Sequence, residues 1–398
     1  MSKKIVFLSL FLLTTVSSAA QKSTVKKDIA QAQAFLKSKK NCDKAENLML
    51  SLLKDSVNRR NERIHLVLFD AIRMQYEQNN EKMYLRQKVD TAAFFNLTMK
   101  MFRQSFTLDS IDAAPDEKGR AKIRYRSKHA AYLDKYRKNL FNGGAYFIQK
   151  QKYAQSYDFM DLYLNCGQQP LFSSYSYEPD SVAAYWALYS AYKMKCPPKV
   201  LQHAELAKRD SLHLEFTLQY LAETFSQLND TVRYVATLHE GFLRFKQSPY
   251  FFTYLVDYYN SQRLPNSALD IVNIGLADNP RNELFLYAKS NILLNMGDYD
   301  GCISVCDSLI SMNDSIAEVY YNAGAAWINK AFDAEKMNLP SQKKRQLIMT
   351  YYKSALPYME HYRAVKPEEK DKWTAALYNI YLNLNMGREF EEIDRMLR

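Results

Sequence analysis

The chain has 398 residues, a hydrophobic content of 47% and a formal net charge of +11. The apolar fraction is ample for a continuous core, and the low counts of glycine (10) and proline (11) argue against an all-β chain with many tight turns. The excess of basic residues suits acidic surfaces, but these residues are spread along the chain, as on an ordinary solvated surface.

The first 20 residues have the pattern of a secretory signal peptide. Lys3 and Lys4 precede an apolar run over residues 5–16, and small residues follow as far as Ala20. We therefore predict a signal peptide over residues 1–20. The apolar run is too short for a stable transmembrane anchor, and no later segment is apolar enough to be one. The mature chain is predicted to be soluble and periplasmic, in a Gram-negative bacterium.

Residues 21–136 have the spacing of degenerate helical hairpins. Apolar residues recur at helical intervals, and the sequence Ala114-Pro115-Asp116 interrupts them. The predicted segments are a hairpin over residues 26–59, amphipathic helices near Arg60–Gln78 and Glu81–Leu108, and a helix over Ala121–Tyr136.

From residue 137 the pattern becomes a regular repeat with a period of 34 residues. Large and small apolar residues alternate in two helical stretches of each repeat, as a stack of helix hairpins requires. An early repeat begins near Arg137. The regular ones begin at Ser181, Glu215, Pro249, Glu283 and Ala317.

The residues at these positions resemble those of the tetratricopeptide repeat family. An aromatic residue, a small pair and a second aromatic stand in the first helix of the last regular repeat, as Tyr320, Ala323, Gly324 and Trp327. In the repeat at Pro249, the small residues Ala268 and Gly275 stand in the second helix, and Pro280 provides the stop signal after it. The resemblance implies an all-α fold, a right-handed superhelical α-solenoid over residues 137–398.

Three departures from the regular spacing are informative. Gly143 and Gly144 fall where the repeat needs small residues for close packing, and no phosphate-loop signature follows them. An insertion over residues 331–349 predicts a lengthened hairpin with its tip at Pro340, either a projecting arm for a partner or a hairpin packed on its neighbour. The charged segment 370–398 fits a polar terminal cap.

The five cysteines are an odd number, so at least one is unpaired within the chain. Cys302 and Cys306 lie four residues apart on the inward face of a predicted helix, which favours a place in the core. Cys166 and Cys196 fall in predicted loops and are the pair best placed to form a disulfide, although the sequence leaves the pairing open.

No arrangement of residues predicts catalysis or a bound cofactor. The six histidines are scattered without metal-ligand spacing, and no nucleophile motif or glycine-rich cofactor loop occurs. We therefore predict a non-enzyme without metal or cofactor. Nucleic acid is not a predicted partner, because an exported chain would not meet it and no basic–aromatic motif occurs.

One short pattern is more frequent than the composition explains. Aspartate, then serine or threonine, then an aliphatic residue occurs eight times, where about one is expected from composition. The pattern resembles an O-glycosylation signal of some Gram-negative exported proteins, and helix capping by aspartate is the alternative. The aspartates are Asp55, Asp90, Asp109, Asp180, Asp210, Asp230, Asp307 and Asp314.

The tetratricopeptide resemblance also implies a binding surface. In that family, positions 2, 5, 9 and 12 of each first helix line a concave groove. The residues predicted here are rich in tyrosine and amides: Tyr185, Tyr189, Tyr192, Gln219, Glu223, Thr253, Asp257, Asn260, Tyr287, Asn291 and Tyr321.

The predicted function is a non-catalytic scaffold that binds a partner peptide or protein in this groove. The alternative is a glycan- or small-solute-binding protein, because tyrosine faces beside amides also suit sugar rings. A compact aromatic shelf would favour a glycan, and a longer track of polar residues would favour a peptide.

Overall fold

The computed structural model describes residues 23–116 and 118–397, and the predicted signal peptide over 1–20 lies outside them. In the described part the regular secondary structure is helical and no strand occurs, which confirms the predicted all-α class. The chain divides into two compact units, one ending at Leu228 and the other beginning at Asn229. The predicted boundary between degenerate and regular repeats at residue 137 stays a prediction.

The N-terminal unit contains eleven α-helices within its described residues. Its core is formed by buried apolar side chains such as Phe69, Phe102 and Phe147. The helices are α1 (23–37), α2 (Cys42–Leu52), α3 (Glu62–Tyr84), α4 (Thr91–Asp112), α5 (Arg126–Asp134), α6 (Lys138–Gln149), α7 (Tyr153–Asn165), α8 (Ser181–Lys193), α9 (Pro197–Gln202), α10 (Ala204–Ala207) and α11 (Leu214–Gln227).

The C-terminal unit contains nine helices within its described residues. Buried clusters of apolar side chains join successive helices, one around Val319 and Ala323 and another around Tyr362 and Trp373. The helices are α12 (Thr231–Arg244), α13 (Pro249–Ser261), α14 (Pro265–Asp278), α15 (Glu283–Met296), α16 (Tyr299–Met312), α17 (Ala317–Lys336), α18 (Ser341–Val365), α19 (Lys370–Asn383) and α20 (Gly387–Leu397).

The helix starts confirm the 34-residue period. Helices α8, α13, α15 and α17 begin at the predicted residues, and α11 begins one residue before Glu215. Polar caps fix two of these starts: Asp180 accepts from the backbone N–H of Ala183, and Asn282 accepts from that of Phe285. Capping satisfies N–H groups that have no partner inside the helix.

Small residues set the distance between neighbouring helices. A Cβ atom on Gly143 would lie 2.7 Å from the ring of Phe159, and one on Gly144 would lie 2.7 Å from Met160. Both glycines therefore serve helix packing, as the sequence predicts. The same relation recurs in the C-terminal unit, where a Cβ on Gly275 would lie 2.3 Å from the ring of Phe285.

The predicted bounds of three N-terminal helices are wrong. Helix α3 continues through Gln78 to Tyr84 and ends where Arg86 adopts a left-handed φ of 56°, and α4 begins only after its cap at Asp90. Helix α5 begins at Arg126 instead of Ala121. The segment before it is held outside a helix because the Asp112 carboxylate accepts from the backbone N–H groups of Arg124 and Tyr125.

The predicted Cys166–Cys196 disulfide is also wrong, because all five cysteines are free. Cys166 is buried, and its Sγ atom accepts from Arg137 Nε at 3.0 Å and donates to the carbonyl oxygen of Tyr163 at 3.2 Å. The thiol is therefore fully engaged within its own hairpin. Cys302 and Cys306 are completely buried, as predicted for core residues.

Helices α17 and α18 are longer than their neighbours. They contain 20 and 25 residues, whereas α13 to α16 contain 13 or 14. The excess is roughly two turns in α17 and three in α18, at 3.6 residues per turn. Pro340 is the residue immediately before α18.

Helix capping accounts for half of the repeated aspartates. The side chains of Asp55, Asp90, Asp180 and Asp230 each accept from a backbone N–H two or three residues later. Asp109 and Asp307 lie inside helices and bind Arg126 and Tyr358 instead. Glycosylation of the following hydroxyl residues stays a prediction.

No helix among the described residues combines the length and the apolar character needed to cross a membrane.

Candidate binding surfaces

Five of the predicted groove residues come together in the C-terminal unit. They line an open cleft of about 200 Å³ between α13 and α15, which we call the amide cleft. Thr253, Asp257 and Asn260 are three and four residues apart and so lie on one face of α13. Across from them stand Tyr287 and Asn291 of α15. The lining is completed by Phe252, Val256, Leu284, Ala288, Ile292 and Asn295.

A buried amide holds Asn291 in place. Asn322 of α17 is 3% exposed, and its Nδ2 donates to Asn291 Oδ1 at 2.8 Å and to Ser290 Oγ at 3.0 Å. Ser290 Oγ in turn donates to the carbonyl oxygen of Tyr287 at 2.8 Å. Since the oxygen of Asn291 is engaged, its amide N–H groups, which have no acceptor among the described residues, are the atoms it can offer to a ligand.

The amide cleft has a mixed polar and apolar lining. Thr253, Asp257 and Asn260 are exposed, whereas Val256 and Ile292 are buried and form an apolar floor. One carboxylate, that of Asp257, stands among amide and hydroxyl groups that both donate and accept hydrogen bonds. Such a surface suits a neutral or weakly basic ligand with its own donors and acceptors.

Tyr321 is not part of the amide cleft. It lies on α17 and is half-buried, with its ring centroid 5.3 Å from that of Tyr362. Its contacts therefore join α17 to α18.

Tyr185, Tyr189 and Tyr192 of the N-terminal unit belong to an aromatic cluster. The ring of Tyr189 lies 6.0 Å from Tyr153, 5.8 Å from Trp186 and 5.8 Å from Tyr220, measured between centroids. We define this aromatic cluster as Tyr153, Tyr185, Trp186, Tyr189, Tyr192, His213 and Tyr220.

The rings of the aromatic cluster differ in what they can offer. Tyr185 is 5% exposed and stacks on His213 at 4.1 Å, so it supports its neighbours more than it faces solvent. Tyr192 stacks on Tyr220 at 4.4 Å, and its hydroxyl donates to the carboxylate of Glu223. That hydrogen bond, together with burial, raises the pKa of Tyr192 to about 12.

Gln219 and Glu223 lie four residues apart on α11 and so share a face of that helix. Glu223 is also three residues from Tyr220, which belongs to the aromatic cluster. The Nε2 atom of Gln219 donates to Glu215 Oε1 at 3.5 Å. Glu223 is half-buried. The two residues add a carboxylate and an amide to the aromatic surface.

Several residues of these surfaces were not predicted from the sequence. Tyr153 and Tyr220 lie outside the groove positions of the repeat, and Asn322 is a buried residue of the repeat that follows Asn291. The asparagine pair could have been noticed, because Asn322 and Asn291 are 31 residues apart in consecutive first helices. Tyr153 and Tyr220 could not have been found in this way, because neither occupies a position that the repeat pattern assigns to the groove.

No group of three or more potential metal ligands occurs among the described residues.

The geometry of the hairpins defines a class of protein, an all-α fold of repeated helix hairpins. The chain is similar to the solved C-terminal part of a TPR repeat-containing protein from Cytophaga hutchinsonii, at 10% identity and a TM-score of 0.43, over 64% of this chain and 92% of that one. It is also similar to YrrB, described as a TPR protein with an unusual peptide-binding site, at 13% identity and a TM-score of 0.25, over 61% and 93%. No family model and no curated protein matches the sequence.

Proposed function

We propose that this chain is a non-catalytic scaffold that binds an extended peptide segment of a partner protein in the amide cleft. The observation that carries the proposal is the meeting of five predicted groove residues, from α13 and α15, in one open cleft. Extended peptides present a backbone N–H and C=O at each residue, and side-chain amides can pair with both.

The fixed orientation of Asn291 supports a peptide ligand. Because Asn322 occupies the oxygen of Asn291, the Asn291 N–H groups are set to donate to a backbone carbonyl. Pre-orientation by a buried partner lowers the entropic cost of binding. The apolar floor of Val256 and Ile292 would receive an apolar side chain of the peptide.

We also propose that the protein is exported and acts in the periplasm or cell envelope of a Gram-negative bacterium. The signal-peptide pattern of residues 1–20 supports this location.

Site-specific photocrosslinking in cells that naturally produce the protein tests the peptide proposal. A photoreactive phenylalanine analogue at Tyr287, inside the cleft, is expected to give a covalent adduct with a partner. The matched control is the same replacement at Tyr254, which is 44% exposed on α13 and does not line the cleft.

The Asn291→Ala change in the Tyr287 crosslinking variant should reduce the adduct about tenfold, which corresponds to about 1.4 kcal/mol of binding free energy. Equal adducts from the Tyr254 and Tyr287 positions would contradict binding in the cleft. If neither position gave an adduct, the result would contradict the proposal that the protein is a binding scaffold.

A glycan-binding function is a second candidate, and the aromatic cluster favours it. Seven rings gathered on α7, α8, α11 and the turn before α11, next to Glu223, are the compact aromatic surface that sugar recognition uses. The rings of Tyr185 and Tyr192 already stack on His213 and Tyr220. A sugar would therefore have to use Tyr189 and the edges of the cluster.

A further inference from the structure

The lengthened hairpin carries a second cleft, on the part of α18 that exceeds the usual helix length. Ser341, Lys344 and Arg345 lie on one side of it, and Asn383 and Asn385, at the end of α19, lie on the other. Its volume is about 330 Å³, within the range of about 300–1,000 Å³ typical of ligand sites. We call it the basic cleft.

The charges of the basic cleft are unbalanced. Lys344 and Arg345 both line it, and no aspartate or glutamate does. Arg345 is exposed and has no ion-pair partner among the described residues. Two cations without a counter-ion, beside a partly desolvated wall, create a positive potential that attracts an anionic group.

The beginning of α18 is held in position. Lys344 Nζ donates to the carbonyl oxygen of Glu335, near the end of α17, at 3.0 Å. This hydrogen bond ties the two helices together across the hairpin tip. The cations are therefore presented by a fixed element, which reduces the ordering cost of binding.

The remaining lining of the basic cleft indicates an organic anion. Ile348 and Met349 continue the same face of α18, and Leu382, which is 50% exposed, stands opposite. Inorganic phosphate would use the two cations but would leave this apolar surface uncovered. A carboxylate side chain next to an aliphatic one would cover both.

We propose that the basic cleft binds an acidic segment of a partner protein, through carboxylates on Lys344 and Arg345 and aliphatic side chains on Leu382. This site is separate from the amide cleft and does not depend on what the amide cleft binds. The lengthened hairpin is then a docking element as well as a packed one.

The test measures binding of a fluorescent peptide of alternating glutamate and leucine by anisotropy, with a lysine–leucine peptide of equal length as the control probe. The purified full chain should bind only the acidic peptide. Binding should weaken as salt is raised, because the attraction is electrostatic. Arg345→Glu is expected to weaken binding about tenfold or more.

The matched control is Lys343→Glu, which makes the same charge change at an exposed residue that does not line the cleft. It should weaken binding by no more than about twofold, through long-range repulsion alone. Equal losses in the two variants, or equal binding of both peptides, would overturn the proposal.

Two further probes distinguish other anions. Competition by millimolar inorganic phosphate, or binding to vesicles of anionic lipid that is lost in Arg345→Glu, would replace the acidic segment with a phosphate ligand and so refute the proposal as stated. The Asn291→Ala variant should bind the acidic peptide normally, so that failure at the amide cleft and failure at the basic cleft give different results.

Discussion

Gly275 determines how closely α14 and α15 approach each other. Its backbone faces the ring of Phe285, which is completely buried, and an added Cβ would come within 2.3 Å of that ring. The Phe285 ring has little room to move away from an added Cβ, since its centroid also lies 4.1 Å from that of Phe252.

We therefore expect Gly275→Ala to lower the free energy of unfolding by about 1–3 kcal/mol, the usual cost of overpacking a filled core. Urea denaturation followed by circular dichroism measures it. The control is Gly387→Ala, because a Cβ there meets nothing within 4 Å at the start of α20. That change should be neutral or stabilise by up to about 1 kcal/mol. Similar losses in both variants would show that the Phe285 contact is not the cause.

Sequence reasoning predicted the small residue at Gly275 but not its partner. The repeat pattern does not mark Phe285 as the residue that fills the space against Gly275. Packing partners come from neighbouring helices, so the period shows which positions are small without showing which ring fills each gap. The Asn322–Asn291 pair has a spacing close to the period, but the hydrogen bond between the two amides is visible only in the structure.

Helix α8 offers the sharpest contrast between a core residue and a surface one. Leu188 is completely buried, whereas the adjacent Tyr189 is half-buried and touches other rings of the aromatic cluster. Because successive residues of a helix point about 100° apart, these neighbours serve different roles.

Leu188→Ala should cost about 2–5 kcal/mol of stability, the range for truncating a buried leucine. Tyr189→Ala should cost less, about 1–2 kcal/mol, since it removes aromatic contacts that are partly exposed. If Tyr189 also anchors a ligand, its loss should weaken capture of that ligand by roughly 1–3 kcal/mol. Thermal melts and a pull-down on each variant separate the two effects. Equal destabilisation by both substitutions would show that Tyr189 is a core residue.

At the scale of whole helices, the starts in the regular repeats were predictable, whereas several helix bounds in the N-terminal unit were not. The predicted starts of α13, α15 and α17 coincide with the observed ones, because the apolar period marks them, and a side-chain cap at Asn282 also fixes the start of α15. The end of α3 depends on the left-handed backbone at Arg86, and the start of α5 depends on the Asp112 carboxylate. Both are single local contacts that leave no period in the sequence.

No disulfide bond occurs among the described residues, and each of the two units is stabilised by its own internal packing. The sequence suggested a disulfide because Cys166 and Cys196 fall outside the predicted helices. Instead, Arg137 occupies the sulfur of Cys166 and places its guanidinium 4.0 Å from the ring centroids of Tyr163 and Tyr177. Burial raises the pKa of the Cys166 thiol.

Thiol titration checks this arrangement. Denatured protein that has never been reduced should give five reactive thiols with Ellman's reagent, one for each free cysteine. In the native state only Cys196, the one cysteine that is not buried, should react quickly, because thiolate formation requires contact with solvent. A reductant should leave the melting temperature unchanged. If the denatured, unreduced protein gave only three thiols and its melting temperature fell on reduction, the result would show that two of the cysteines form a disulfide. Cys196→Ser should abolish the fast native reaction and leave four thiols in the denatured protein. It should leave the melting temperature unchanged, because the hairpins are stabilised by packing and not by a disulfide.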